Sequence, residues 1–405
     1  MAKQFFLMCL CASACTYAST AAAQPARSAT DEGSSGSSMQ RAVSWVDSKL
    51  DAGSDAKDGV YPELGGFING AGLSIGPGYR HHLFGDRAIV DVSAAVSWRR
   101  YTMMQSRLEW PRLLDERLAV GGQVKYQDFT QINFFGIGAG AQKATQTDYR
   151  LRSFDATAFA TVRPVKWLSI TGQGGWLRRV DIGRGTSSLH PSTDDVFDEA
   201  TAPGLVATPT YVHAEVGVEA DTLDAPGYPS NGGRYRVSVA SFTDRDFNQY
   251  SFRRVEADAA QYVSIFSPRS VLAVRARVDL TATAPGQSVA FYMLPTLGGP
   301  TSLRGYLDYR FRDRDLMLFN GEYRWPILRA LDGAAFYDAG AVAPRVGALS
   351  TRHLMTDYGI GLRVHSKKNL LVRVDVARGQ EGTRVVAAFS APFGSKSRPV
   401  VPFMP

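Results

Sequence analysis

Between residues 65 and 393 the chain keeps a period of two. Residues 271–280 place Leu272, Val274, Ala276, Val278 and Leu280 on one face, with Arg275, Arg277 and Asp279 on the other. Residues 315–325 repeat this, with Met317, Phe319, Tyr323 and Trp325 opposite Asn320, Glu322 and Arg324. In 370–377, Val372, Val374 and Val376 oppose Arg373 and Asp375. Successive side chains of a strand point to opposite sides, so such alternation marks strands with two unlike faces. Gly, Pro, Asn and Asp separate the runs, and no helical stretch of comparable strength interrupts them. Strands of soluble sandwiches average about 5–6 residues. Several runs here approach or exceed the roughly ten tilted residues that cross a bilayer, with aromatics at the ends of the apolar face. In hydrocarbon every amide must be paired, and a closed barrel pairs them all. The expected fold class is all-β, a transmembrane antiparallel barrel.

Composition narrows the alternatives. Charged residues make up 20% of the 405, and Phe 21, Tyr 17 and Trp 6 supply too much apolar surface for a disordered chain. Beyond the N-terminus no apolar run reaches the ~18 residues of a membrane helix. The net charge of +7 invites a nucleic-acid reading. The Arg residues, however, are scattered singly along the alternation rather than gathered into a basic face, so no nucleic-acid partner is expected.

Residues 1–23 read as a signal peptide. Lys3 precedes an apolar stretch from Phe5 to Ala14, and Ala21, Ala22 and Ala23 offer a cleavage site before Gln24. A retained anchor helix and a lipoprotein signal at Cys15 are the rivals. All three cysteines, Cys9, Cys11 and Cys15, lie in this segment, so cleavage leaves a mature chain without thiols. Residues 24–64 read as a linker. Within it, Val43, Val46 and Leu50 give 39–50 the face of a short amphipathic helix, with a solvated linker as the equal alternative. Residues 394–405 read as a C-terminal tail.

The run Gly298-Gly299-Pro300-Thr301-Ser302-Leu303-Arg304-Gly305-Tyr306 resembles the loop signature of the bacterial surface antigen family, the BamA/TamA-type outer-membrane barrels. The resemblance implies a lumen-folded loop whose Arg304 docks on Glu322, in Asn320-Gly321-Glu322-Tyr323-Arg324, and on Asp338, in Phe336-Tyr337-Asp338-Ala339-Gly340. A guanidinium can fork onto carboxylates in a confined lumen. Gly305 is expected to let the backbone turn sharply there, and Tyr306 to pack the tip against the wall. Asn133-Phe134-Phe135-Gly136-Ile137-Gly138 is similar to an aromatic-glycine loop of the family, and residues 221–233 resemble its mid-barrel turn. Val385, Ala387, Phe389, Ala391 and Phe393 look like the outward face of a last strand, with Phe389 and Phe393 as its assembly signal. Eleven strands before the loop and five after it give about 16. Well-known members carry POTRA domains ahead of the barrel, and 24–64 is too short for one.

Catalytic readings are weak. Gly72-Leu73-Ser74-Ile75-Gly76 fits a nucleophile elbow, but Pro77-Gly78 follows where a helix is required. His81, His82, His190, His213, His353 and His365 lack metal-ligand spacing. A triad assembled from distant strands stays open, since triads are geometric. No catalytic site, metal or cofactor is expected. The resemblance implies an outer-membrane, monomeric protein that assists insertion or translocation of client proteins or lipids, with a periplasmic accessory protein and outer-membrane lipids as partners. The alternative is a passive or gated pore plugged by the Arg304 loop. A weak seam is expected between the first and last strands, with Gly72, Gly76 and Pro77 in the first and Pro392 near the end of the last. Glycine adds nothing to cross-strand packing and proline has no amide to donate.

Overall fold

The computed structural model describes residues 58–65, 70–225, 227–366, 369–389 and 391–393. The expected signal peptide, the 39–50 helix and the tail 394–405 lie outside them.

Sixteen strands form one sheet in chain order. The first eleven are β1 (Gly59–Gly65), β2 (Ser74–Leu83), β3 (Ala88–Ser97), β4 (Thr102–Leu113), β5 (Leu118–Phe134), β6 (Thr147–Val165), β7 (Leu168–Arg184), β8 (Tyr211–Asp221), β9 (Gly232–Asp244), β10 (Phe252–Ser264) and β11 (Val271–Ala282). A long connection follows, holding the two-residue strands β12 (Thr296–Leu297) and β13 (Phe311–Arg312), paired only with each other. The sheet resumes with β14 (Asp315–Leu328), β15 (Leu331–Ala343), β16 (Met355–His365), β17 (Leu370–Gly379) and β18 (Gly382–Ala388). Each named barrel strand is antiparallel to its neighbours.

The two faces are inverted relative to a soluble protein. Arg107, Lys125, Asp155, Arg275, Asp279, Glu322, Asp338, Arg363, Arg373 and Asp375 are buried. Val96, Met104, Trp176, Val216, Val237, Ile360 and Val376 are exposed on the other face. Such an exterior is stable only against hydrocarbon, so the alternation is the transmembrane pattern with charge turned inward. The curl is closed by interior contacts. Asp308, in the long connection, accepts from Arg384 of β18 at 3.1 Å. Its carboxylate also lies 3.2 Å from where a Cβ on Gly70, just after β1, would sit. Among the described residues no ladder joins β1 to β18.

The barrel begins at Gly59 rather than Gly65. Pro62 and Gly59 look like breakers, yet β1 pairs with β2 along its length, with Pro62 opposite Pro77. The glycines of β2 make this fit. A Cβ on Gly78 would meet the Tyr61 ring at 2.2 Å, so the missing side chain is the ring's seat. A Cβ on Gly76 would strike the Ala94 carbonyl of β3. Gly76 and Pro77 therefore belong to the second strand, and Gly72, at φ 72, to the connection before it. The seam assigned to them is displaced by one strand. Ser74, the elbow candidate, opens β2 with no helix after it.

Short connections, at 84–87, 114–117, 166–167, 222–231, 265–270, 329–330 and 366–369, share one end of the barrel with the start of β1 and the end of β18. The other end carries the longest connections, 185–210 and 283–314, beside the short 98–101 and 380–381. In outer-membrane barrels the short-turn end faces the periplasm.

Candidate functional site: a loop locked inside the barrel

The 283–314 connection folds back into the interior. Gly298 and Gly299 have φ of 110° and 101°, a region open to glycine, and reverse the chain at the loop's base. Arg304, 1% exposed, then meets the wall of β14 and β15. Its Nε donates to Asp338 Oδ2 at 2.7 Å and its Nη2 to Asp338 Oδ1 at 2.9 Å, a two-point fork. Its Nη1 donates to Glu322 Oε2 at 2.6 Å. The guanidinium lies 3.5 Å from the centroid of the Phe336 ring. Burial works against the Arg304 charge, but Asp338 and Glu322 outweigh it, so the guanidinium holds its proton above the ordinary value.

The lock continues into strands that the sequence reading left out of the site. Arg363 of β16 donates to Glu322 Oε2 at 2.8 Å and pairs with Asp375 Oδ1 at 2.6 Å. Arg373 of β17 pairs with the other Asp375 oxygen at 2.8 Å and donates to the Pro300 carbonyl at 2.5 Å. Asn320 donates to the Ser302 carbonyl and to Asp338, both at 2.8 Å. Arg324 belongs to a different contact, described below. The inward phase of β16 and β17 is the sequence signal that could have found Arg363, Arg373 and Asp375.

Gly305 corrects the expected turn. It lacks the positive φ of Gly298 and Gly299. It is glycine because a Cβ would lie 2.6 Å from Asp357 Cβ and 2.8 Å from the Gly379 amide nitrogen. Close approach, not a sharp turn, fixes this residue. Asp357 stands opposite Asp338 in the β15–β16 register and forms the floor under the loop. Tyr306, 1% exposed, donates from its hydroxyl to the Thr356 carbonyl at 3.2 Å, and its ring meets Phe311 edge-on at 5.2 Å. Its carbonyl accepts from Arg384 of β18.

The aromatic-glycine loop holds the returning limb. Gly138 N donates to the Arg312 carbonyl at 2.8 Å, and Arg312 donates to the Asn133 carbonyl at 3.1 Å. Above this level Phe291, Tyr292, Met293 and Leu294 pack with Phe134, Tyr149, Tyr211 and Phe252 in an apolar core. Strands β5–β7 run to 17–19 residues, beyond the length a bilayer needs, and supply much of that cap.

The mid-barrel turn closes the opposite mouth. Gly227 bridges Asn369, so the β8–β9 connection reaches the β16–β17 turn. Tyr228 stacks on His365 at 4.5 Å, lies 4.3 Å from the Arg324 guanidinium, and donates to Asp332 Oδ2 at 3.1 Å. Arg324 donates to the Pro229 carbonyl at 2.5 Å. Arg269 donates to the other Asp332 oxygen at 2.9 Å.

The expected assembly signal divides here. Phe389 is 39% exposed and faces outward, but Phe393 is 2% exposed and packs with Tyr262, Ala260, Val271 and Ala273. The Phe393 carbonyl accepts from Arg234 at 2.9 Å. The β17–β18 ladder stops at Ala388, and Pro392, without an amide, cannot extend it. The chain leaves the wall and turns into the mouth. Pro392 is thus a turn residue beyond the last strand, not part of a seam.

A curled antiparallel sheet with charge inside, apolar residues outside and a long connection folded into its lumen defines an outer-membrane β-barrel. The chain belongs to the Omp85 superfamily, whose domain model matches residues 83–385. Among solved structures, BamA from Haemophilus ducreyi lacking POTRA domains 1-3 is similar with a TM-score of 0.59 and 15% identity, over 86% of this chain and 78% of that one. CdiB from Escherichia coli is similar with a TM-score of 0.54 and 12% identity, over 81% of this chain and 62% of that one. At these identities the likeness is one of fold. No curated protein matches the chain.

Proposed function

We propose that this barrel assists client proteins into or across the outer membrane, acting without chemistry or cofactor, and that clients engage it at the edges of β1 and β18. The observation that carries this reading is that, among the described residues, no ladder joins those two strands, whereas every other neighbouring pair in the sheet is hydrogen-bonded. Val60 of β1 and Val385 of β18 are 78% and 68% exposed, among the most exposed apolar residues of the wall. An unpaired edge is a template for another strand. In hydrocarbon a backbone amide without a partner carries a large penalty until something pairs with it. The lumen favours this reading over a passive pore, because the apolar cap, the Arg304 loop and the β8–β9 turn stand across it at three levels. A periplasmic accessory protein would deliver the client to the short-turn end.

The test uses the purified barrel in lipid vesicles with single cysteines scanned through 60–64 and 383–387. Oxidised pairs should stop the vesicles from accelerating the insertion of a urea-unfolded outer-membrane β-barrel, and reduction should restore it. Equal activity in the oxidised and reduced states would contradict engagement at the edge. Steady ion conductance without any client would instead favour the pore.

A further inference from the structure

Three of the short periplasmic connections share one unusual construction. Leu83-Phe84-Gly85-Asp86-Arg87, Leu113-Leu114-Asp115-Glu116-Arg117 and Ile265-Phe266-Ser267-Pro268-Arg269 each carry a bulky apolar residue at the tip and an Arg three positions later. The apolar residue is left-handed in all three, with φ of 55° at Phe84, 50° at Leu114 and 61° at Phe266. A side chain with a Cβ is disfavoured in that region, and bulky ones are true outliers there. Strain of this kind is ordinarily offset by packing. Residues 84–86 and 114–116 are left-handed throughout, and backbone hydrogen bonds such as Arg87 N to the Leu83 carbonyl close the turns. Phe84 is 71%, Leu114 73% and Phe266 94% exposed, so the apolar side chains themselves gain little packing.

Two further connections at the same end repeat the chemistry without the strain. Trp167, 51% exposed, follows Lys166, and Leu328, 57% exposed, precedes Arg329. The described residues of 222–231 and 366–369 include no exposed apolar tip, and these two connections meet at Gly227 and Asn369. Arg269 is exposed like Arg87, Arg117, Lys166 and Arg329, but one of its nitrogens also donates to Asp332.

We propose that these tips form a lipid-anchoring ring, with the apolar side chains seated in the interfacial zone of the periplasmic leaflet and the neighbouring cations on phospholipid phosphates. The tips belong to β2–β3, β4–β5, β6–β7, β10–β11 and β14–β15, and so lie around most of the circumference. One globular partner cannot cover such a ring, but the surrounding bilayer does. Side chains with an apolar body beside a cation suit the headgroup boundary, where each half finds its own medium. The ring would fix the depth and tilt of the barrel while leaving the mouth to the two connections that meet at Gly227 and Asn369.

The test places single nitroxide labels on cysteines at 84, 114 and 266 of the full chain, with Cys9, Cys11 and Cys15 replaced by Ala. The protein is reconstituted in vesicles of phosphatidylethanolamine and phosphatidylglycerol. A label at Ile360, on the outward face of β16, calibrates lipid, and one at Val206, 79% exposed in a long connection, calibrates water. The ratio of oxygen to aqueous nickel-chelate collisions at 84, 114 and 266 should exceed that at Val206 at least threefold. Ratios equal to that at Val206 would overturn the proposal. Labels that become shielded only when a periplasmic protein extract is added would also overturn it, in favour of a protein-binding rim.

Discussion

Arg304 and Asp338 are joined by two parallel hydrogen bonds of 2.7 and 2.9 Å across the barrel interior, with the Phe336 ring against the guanidinium. Both residues are almost wholly buried. The fork geometry matters, because an ammonium in the same place could satisfy only one carboxylate edge at a time.

Arg304→Ala should therefore loosen the loop. Breaking a buried pair by removing one partner costs about 3–5 kcal/mol, and Arg363 retains part of the Glu322 interaction, so the lower end is expected. Arg304→Lys should fall between Arg304→Ala and wild type. The urea midpoint of the reconstituted barrel, read with protease cleavage within 298–310, checks this order. Equal midpoints for all three would remove the lock.

Gly305→Ala should destabilise the same loop without touching any charge. Its Cβ would press on Asp357 Cβ and the Gly379 backbone, neither of which is a flexible side-chain end. Overpacking of this kind costs about 1–3 kcal/mol. Gly140→Ala, where nothing lies within 4 Å, is the matched control and should leave the urea midpoint unchanged.

Tyr228→Ala should open the periplasmic mouth. The ring fills the space between Arg324 and His365, and its hydroxyl bonds Asp332. Without it the 222–231 connection should become cleavable by a protease added to the periplasmic face, while the outer cap stays resistant. Unaltered protection of 222–231 would show that the turn is held by other contacts.

The outer cap should loosen in acid. Burial raises the pKa of Glu199, but the Tyr250 hydroxyl at 2.5 Å and the amides of Val206 and Gly204 outweigh it and hold the carboxyl below its usual 4.5. A lowered folded value means stability that is fully present above about 4.5 and lost as pH falls through the folded value. Proteolysis within 198–206 should rise across that acid window in wild type. Glu199→Gln, which removes the titration, should flatten the profile.

Much of the barrel was legible because period-two alternation reports which way each side chain faces. It placed Glu322 on the polar face of its strand, and the loop signature paired Glu322 and Asp338 with Arg304. Alternation does not report which residues meet across the lumen, so Arg363, Arg373 and Asp375 stayed outside the expected site, and Asp357 was missed. It also fails where a strand breaks its own rules. Pro62 hides β1, whose Tyr61 is accommodated by a glycine on the next strand. Phe393 keeps the spacing of an outward residue, yet the chain has already left the ladder at Ala388. Such departures depend on partners distant in sequence, and no local pattern carries them.

Amide hydrogen exchange of the barrel in lipid vesicles tests the open edge most directly. Amides of β1 and β18 that are not bonded to β2 or β17 should exchange at least tenfold faster than those of β14 and β15, which are paired on both sides. Protection of those amides equal to that of β14 and β15 would mean that the two edges are joined, and would contradict the account.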